Sequence, residues 1–497
     1  MNNRTILIAA ILCCLAGVSA RDAGAQGQTH AATRAQSSTN SPDVDITAGV
    51  DSAGEVEVLR RRVEEVEKQN RELLRMLTDL KAKVELPAQP GVADGAQTTG
   101  AAPSPPATGA PAVSASSPKK SDDAVRWSEL LGEGNKIKLY GFLRLDLLFD
   151  SQRPNSAQTI LFVTSPDPRA RNTAGGDFTM HPRLTRFGID YVGPRINKLG
   201  DAKLSGKLEV DFQNGGSESR QAIRLRHGFF KLDWKEVSLL AGQTWDIVSP
   251  LFPTVNNDTL QWNAGNVGDR RPQLRVAYEP GVGEKAKLSF TGGIGLTGAI
   301  DALDLDANGV RDGEESARPD VQGRAGISYP SAAKGQRVSF GVSGLYGFLK
   351  TASAVAGRTS FRSQLVNLDF TLPLHDRLAL RGEGWWGRNM SDARGGAGQG
   401  INAATGREIR GRGGWAEANL KISRYLSTSP GFSTDDPFDG DIPAGGRTRN
   451  RALFVANRIT PGGNFLVGAD YLRWRTDYKG FRRGVDNRVN IFLQYGF

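Results

Sequence analysis

The sequence predicts an all-β fold: a transmembrane antiparallel β-barrel of about 16 strands, preceded by an α-helical coiled coil and a disordered linker. Three observations predict it. Glycine accounts for 60 of the 497 residues, about one in eight where proteins average about 7%, which favours tight turns and close-packed strands. Beyond the N-terminus no run of about 18 apolar residues exists, which excludes helical membrane spans. From Lys136 onwards apolar and polar residues alternate with the period of a β-strand.

The N-terminus has the pattern of an export signal. Arg4 precedes an apolar stretch at 6–18, and small residues at 18–20 or 23–25 offer a cleavage site, so residues 1–25 are predicted to be a signal peptide. Cys13 and Cys14 are the only cysteines and both lie in the apolar stretch. The exported chain therefore has no thiol, which excludes disulfides and thiolate metal sites. Residues 26–50 are predicted to be disordered.

Residues 51–86 are predicted to form a coiled coil, because mostly apolar residues recur at alternating intervals of three and four, as at the a and d positions of a heptad. Asn70 is the one polar member and is predicted to set the register. Asn70 with leucines at d favours a dimer, whereas Leu74 and Met76 broaden the apolar face and favour a trimer, which we expect. The seam comprises Val56, Leu59, Val63, Val66, Asn70, Leu73, Leu77, Leu80 and Val84. Residues 87–135 follow as a linker rich in Ala, Pro and Gly.

Residues 136–497 are predicted to form the barrel. Leu143 and Leu145 share one strand face, while Arg144 and Asp146 share the other. A soluble sandwich also alternates, but it buries its apolar face. Charges on the inner face, together with the number and length of the strands, favour a membrane barrel with a polar lumen.

Short connections alternate with long ones along the barrel, as expected of periplasmic turns and outer loops. A weak strand at 427–433 brings the strand count to sixteen, and an even count puts both termini on the periplasmic side. The long connections are 151–176, 214–220, 245–271, 300–320, 350–360, 389–410, 434–448 and 478–484.

The last strand ends in alternating apolar residues that include Tyr495 and the terminal Phe497. This ending resembles the signal read by the machinery that assembles outer-membrane barrels. We therefore expect that machinery to be a partner of the chain.

The whole arrangement resembles the DcaP-type porins and, more distantly, the phosphate-selective porins. The resemblance implies a homotrimeric channel in the bacterial outer membrane, in contact with its lipid, with the coiled coil in the periplasm. It also implies passive diffusion of small hydrophilic solutes, preferentially anions that carry carboxylate or phosphate. The resembling segments are 139–142, 186–188, 206–212, 242–245, 271–275, 445–450 and the Phe497 terminus.

The barrel charge agrees with an anion preference, because residues 137–497 carry 48 Lys and Arg against 36 Asp and Glu, a net charge of +12. Strand parity turns several charged residues inward. Two interpretations stay open: these arginines bind anions, or they pair with the acids as a network that stiffens the wall. The predicted lining comprises Arg144, Arg186, Glu209, Asp211, Arg224, Arg226 and Arg275.

The third outer loop of porins folds into the lumen and narrows it. Residues 245–271 form the third long loop here, so we expect them to form the constriction. Its candidate lining residues are Asp258, Asp269, Arg270 and Arg271.

Residues 304–315 match a twelve-residue calcium loop, with Gly309 at position 6. Flanking helices are absent from the pattern, so an EF-hand is excluded. Two alternatives stay open: an isolated calcium-binding outer loop, or an acidic loop that binds nothing. The candidate ligands are Asp304, Asp306, Asn308, Asp312 and Glu315.

Other function classes fit less well. A barrel hydrolase needs a histidine beside a nucleophile or a metal, and the 4 histidines form no such motif, so we expect no enzyme and no required cofactor. Nucleic acid is excluded as a partner by export and by the alternating strands. The alternative to the porin is a structural anchor or adhesin with a plugged barrel.

Overall fold

The computed structural model describes residues 135–170, 175–217, 220–255, 260–281 and 285–497. They form a closed antiparallel barrel of sixteen strands, which confirms the predicted fold class and strand count. The strands are β1 Lys136–Asp150, β2 in two segments Asp177–His181 and Arg186–Ile196, β3 Ala202–Asp211, β4 Arg224–Asp233, β5 Val237–Trp245, β6 Arg270–Tyr278, β7 Lys287–Gly295, β8 Asp320–Pro330, β9 Arg337–Val355, β10 Arg358–His375, β11 Leu378–Arg388, β12 Arg410–Lys421, β13 Leu426–Pro437, β14 Arg447–Gly462, β15 Phe465–Tyr478 and β16 Gly484–Gly496.

Long loops and short turns alternate between the strands, so the barrel has a loop end and a turn end. We number the loops by order, with loop 1 after β1. Short elements lie in the connections: four 3₁₀ turns, two two-residue hairpins and the helix α1, Asp312–Glu315. No helix in the described part of the chain is long and apolar enough to cross a membrane.

The first and last strands close the barrel. β1 pairs with β16 from Phe142 opposite Gly496 to Asp150 opposite Arg488. The terminal Phe497 exchanges two backbone hydrogen bonds with Gly141, of 3.1 and 3.3 Å, and its ring lies 6.0 Å from that of Phe187 on the outer wall. Tyr495 lies opposite Leu143 and points outward, where half of its surface is exposed. The predicted assembly signal is thus the strand that completes the barrel.

The two faces of the wall differ as the alternation predicts. Leu143 and Leu453 are among the many apolar side chains exposed on the outer face, whereas Arg144 and Asp146 are buried on the inner face. The apolar outer surface suits lipid, and the polar inner surface suits water and solutes. The weak strand expected at 427–433 is β13.

One expected loop is wrong: 350–360 is strand. β9 and β10 continue through it and are joined by a two-residue turn, Ala356 and Gly357, both at positive φ. Such a turn matches the twist of the two strands and needs no longer loop. This segment has polar residues on both faces, so it lacks the alternation of apolar and polar residues from which the other strands were predicted.

The N-terminal predictions lie outside the described residues. They are the signal peptide 1–25, the disordered segment 26–50, the coiled coil 51–86 with Asn70, and the linker 87–135 except for its last residue. They stay predictions.

We predict that Phe497→Ser lowers the amount of folded barrel in the outer membrane of producing cells several-fold, because the assembly machinery loses its signal and β16 loses its terminal ring contact. The folded fraction is measured by the faster gel mobility of the unheated barrel. The variant Phe481→Ser changes a phenylalanine in loop 8 and serves as the control. Equal folded fractions in wild type and Phe497→Ser would contradict the assignment.

Candidate pore and constriction loop

Loop 3 leaves β5 and returns at β6, but it contacts the inner face of the opposite wall. Leu251 donates its backbone N–H to Glu383 on β11 at 2.9 Å. The indole Nε1 of Trp385, also on β11, donates to the carbonyl of Gly265 at 2.7 Å. Asn450 on β14 donates to the carbonyl of Asn263 at 2.7 Å. Loop 3 therefore lies across the lumen, as expected of a constriction loop.

Two hydrophobic clusters fix loop 3 inside the barrel. Both combine buried loop residues with apolar side chains at inward positions of the wall, where most other residues are polar. Burial of these side chains contributes about 25 cal/mol per Å² of apolar area. The first cluster comprises Ile160 and Val163 of loop 1, Val255 and Ala264 of loop 3, Ala452 and Phe454 of β14, and Leu472 and Trp474 of β15. The second comprises Val248 and Val267 of loop 3, Leu345, Leu365 and Trp385 of β9 to β11, and Met390 and Ala393 of loop 6.

Thr254 of loop 3 docks onto charged side chains of the wall. Its N–H and hydroxyl donate to Glu417 at 2.8 and 2.6 Å. Arg381 donates to its hydroxyl oxygen at 3.0 Å, and Arg458 donates to its carbonyl at 2.5 Å. Every polar group of Thr254 thus has a partner on β11, β12 or β14.

Arg271, at the start of β6, is fully buried and bonded to three carboxylates. Its Nε lies 2.5 Å from Asp246, and its Nη1 lies 2.7 Å from Asp320 and 2.9 Å from Asp392. Gln322 donates to Asp246 at 3.0 Å. A buried charge needs full pairing, and this arrangement supplies it. Arg271 thus links loop 3, β8 and loop 6, and its side chain does not face the open lumen.

The other candidates of loop 3 are also in contacts. Asp269 accepts from Arg394 of loop 6 at 2.9 Å. Arg270 is buried, with its guanidinium 4.3 Å from the centre of the Trp245 ring and 3.6 Å from Asp269. Asp258 lies outside the described residues. A lining role for these residues stays a prediction.

On the part of the wall formed by β2 to β4, the predicted lining residues form one network. Arg224 and Arg226 both bind Asp211, at 2.8 and 2.9 Å. Arg226 also binds Glu209 at 2.8 Å, and Arg186 lies 3.5 Å from Glu209. The structure therefore brings together five of the seven residues selected by strand parity.

The remaining two are separate from this network. Arg144 binds Asp146 on the same strand, with Nε to Oδ2 at 2.7 Å, and lies 4.0 Å from the ring centre of Phe492. Arg275 donates to Gln273 at 2.7 Å and to the carbonyl of Trp245, and it has no carboxylate partner in the described part of the chain. Arg275 thus forms no ion pair within the described residues.

In several inward ion pairs the side chain of the arginine is more exposed than that of its acid, whereas Arg226 with Glu209 and the buried group around Arg271 show no such difference. The side chain of Arg224 is 21% exposed and that of Asp211 is 0%. Three further inward pairs, which the sequence analysis missed, repeat the arrangement: Arg324 with Asp369, Arg381 with Glu417, and Arg458 with Asp470. Strand parity alone would have found these arginines. The lumen therefore meets guanidinium groups, and the carboxylates lie beneath them.

Gly341 shows how closely one pair is fitted. Arg324 on β8 reaches Asp369 on β10 by passing over Gly341 on β9, with Nη2 to Oδ1 at 2.7 Å. A Cβ at Gly341 would collide with both side chains. Only glycine leaves room for this pair at the middle strand.

The calcium-like segment in loop 4 gathers three of its predicted ligands. Carboxylate oxygens of Asp304, Asp306 and Asp312 all lie within 4.8 Å of one another. Burial, with the nearby acids adding to it, raises the pKa of Asp312 to about 6. Asn308 donates to Glu315 at 3.1 Å, so these two contact each other. Both alternatives, a calcium site and a loop that binds nothing, stay open.

The fold has similar solved structures, although no protein-family model and no curated protein matches the sequence. The outer membrane channel DcaP of Acinetobacter baumannii aligns with a TM-score of 0.58 at 18% identity, over 73% of this chain and 98% of that chain. The barrel is similar in fold to DcaP. Two weaker likenesses are an anion-selective porin from Comamonas acidovorans (TM-score 0.47, 10% identity, 73% and 100% covered) and Salmonella typhi OmpF with daunomycin (0.46, 15%, 73% and 98%). The resemblance expected from the sequence is thus confirmed at the level of the fold.

We predict that Arg271→Ala releases loop 3, because it leaves three buried carboxylates without their cation, a loss of about 3–5 kcal/mol for a buried pair. The temperature at which the barrel loses its compact gel mobility should fall, and protease should cut within 246–269. Arg311→Ala removes an exposed pair with Glu314 and should cost less than about 1 kcal/mol. Equal transition temperatures and equal protease cleavage of the two variants would contradict the linking role of Arg271.

We predict for loop 4 that a chelator, added to calcium-loaded protein, exposes 300–320 to protease, because the three carboxylates repel one another without a cation. Asp306→Asn should remove the difference between calcium and chelator. Identical cleavage of the wild type under both conditions would leave the acidic loop that binds nothing.

Proposed function

We propose that the protein is an outer-membrane porin for passive diffusion of small hydrophilic solutes, with a preference for anions that carry carboxylate or phosphate. The observation that carries this proposal is the orientation of four inward ion pairs, Arg224–Asp211, Arg324–Asp369, Arg381–Glu417 and Arg458–Asp470, in which the arginine is more exposed than its acid. Guanidinium groups bind such anions with two parallel hydrogen bonds. A low-dielectric wall strengthens the positive potential that they create.

Loop 3 supports the proposal because it folds into the lumen and narrows it. Its contacts with the wall lie mainly on β9 to β15, whereas the Arg186–Arg226 network lies on β2 to β4 and Arg275 on β6. A solute that passes loop 3 would therefore face these arginines. No catalytic role is proposed.

The surroundings follow from the same proposal. Both ends of the barrel sequence lie at the turn end, which we assign to the periplasm, with the coiled coil beyond it and the loop end outside the cell. We propose a homotrimer in outer-membrane lipid, assembled by the barrel assembly machinery, because DcaP is an outer membrane channel of the same fold.

We predict a reversal potential of anion-selective sign for the purified protein in a planar bilayer under a salt gradient. Arg224→Ala and Arg324→Ala should each reduce the anion preference, because each removes a guanidinium from the lumen wall and leaves Asp211 or Asp369 with less positive charge beside it, and the double variant should reduce it most. Arg473→Ala removes the same charge from the outer face and is the matched control.

Three outcomes would speak against parts of the proposal. Cation preference of the wild type would keep the porin but reject the arginine lining. Unchanged selectivity in Arg224→Ala and Arg324→Ala would assign these residues to wall stiffening. Absence of conductance would favour the structural anchor with a plugged barrel.

A further inference from the structure

The outer face of the barrel carries a group of arginines near the loop end of β12 to β15. They are Arg412, Arg449, Arg451, Arg473 and Arg475, and we call them the arginine belt. Their outward direction follows from the strand alternation: Leu453 is exposed on the outer face, Ala452 and Phe454 are buried inside, and Arg449 and Arg451 share the parity of Leu453. Arg473 lies directly opposite Leu453 on the next strand.

The belt is not neutralised by its own neighbours. Asp436 accepts from Arg449 at 2.7 Å and lies 3.4 Å from Arg412, and Asp477 lies 3.1 Å from Arg475. Two carboxylates thus form the ion pairs of the five arginines, and Asp477 is shared with Arg483 at 2.7 Å. In the described part of the chain, Arg451 and Arg473 have no hydrogen-bonded acceptor and no ion pair.

Two of these arginines oppose each other directly. Arg451 on β14 and Arg475 on β15 are partners in the strand register. Like charges at directly opposite positions destabilise a sheet, and an anion between them removes that cost. This arrangement therefore indicates a ligand with negative charge.

The surface just below the belt is apolar and aromatic. Trp386 on β11, Phe432 on β13 and Tyr471 on β15 are all exposed outward, at 53%, 42% and 45%. Trp386 lies opposite Arg412, and Tyr471 lies two positions before Arg473. Aromatic residues mark the interface between lipid chains and headgroups in membrane barrels. The belt consequently lies at the level of the headgroups.

Positive charge is not distributed evenly around the outer face of the barrel. Near the loop end of β1 and β2, the outward residues Phe149, Phe178 and Met180 are apolar and about half exposed. Such a surface suits contact with another subunit or with lipid chains, and it would not attract anions.

We propose that the arginine belt binds the phosphate groups of a glycolipid in the outer leaflet, with the acyl chains lying on the aromatic and apolar surface beneath. Arginine forks fit phosphate oxygens in pairs. The adjoining apolar surface distinguishes this ligand from free phosphate, which would gain nothing from Leu453 or Tyr471. The proposal rests on the proposed orientation, with the loop end outside the cell, but it does not depend on the pore, because every residue of the belt lies on the opposite face of the wall.

The test is retention of lipid A by the purified full chain in detergent, measured as lipid per protein by native mass spectrometry. The wild type should retain bisphosphorylated lipid A, and monophosphoryl lipid A should be retained several-fold less. The double variant Arg451→Ala with Arg473→Ala should retain at least tenfold less of the bisphosphorylated form. Arg195→Ala, an exposed arginine beside the turn end, is the matched control and should behave as the wild type.

Folding and source of the anion are controlled separately. Compact gel mobility and conductance of the double variant should equal those of the wild type, and Arg451→Lys with Arg473→Lys should restore part of the retention. Equal retention by wild type and double variant would overturn the proposal. Displacement of lipid A by millimolar inorganic pyrophosphate would also overturn it, since it would show a site for free phosphate.

Discussion

The buried guanidinium of Arg271 connects three parts of the chain that are distant in sequence. It binds Asp246, where loop 3 begins, and Asp392 in loop 6, and Asp392 in turn accepts backbone N–H groups of loop 4 at 2.9 Å. One cation among three acids leaves the group negatively charged, so the added donors from Gln322 and the backbone are needed to satisfy it. The position of loop 3, and hence the shape of the lumen, depends on this group.

The two hydrophobic clusters also hold the loops against the inner face of the wall. An inward apolar residue in a polar lumen would be costly to leave in water, and Trp385, Phe454 and Trp474 avoid this because loops 1, 3 and 6 cover them. The wall formed by β9 to β15 thus packs against the loops. The wall formed by β2 to β4, with Arg186, Arg224 and Arg226, faces the lumen. This division gives one barrel two inner surfaces of different chemistry.

The sequence was sufficient wherever the physics is local. Alternation turned Arg144 and Arg224 inward and revealed sixteen strands, because side-chain direction depends only on parity along one strand. Partners across strands depend on register and on distant loops: Arg271 finds Asp320 and Asp392 at 49 and 121 positions away, so its burial had no local signal. The extension of β9 and β10 was missed because outside the membrane a strand has no apolar face. Large apolar residues at inward positions, such as Trp385 and Phe454, were the unused signal for where loop 3 docks.

The long hairpin of β9 and β10 has a practical consequence. Loop 4 leans on one side of it through Asp306 and Ser353, and loop 6 on the other through Arg358 and Glu408, at 2.7 and 2.9 Å. The turn at Ala356 and Gly357 is exposed at the tip of this hairpin. With the loop end outside the cell, as proposed, a peptide epitope inserted between these two residues would be displayed at the cell surface without disturbing the contacts of loops 4 and 6, which makes this turn a point of access for antibodies and for engineered surface display.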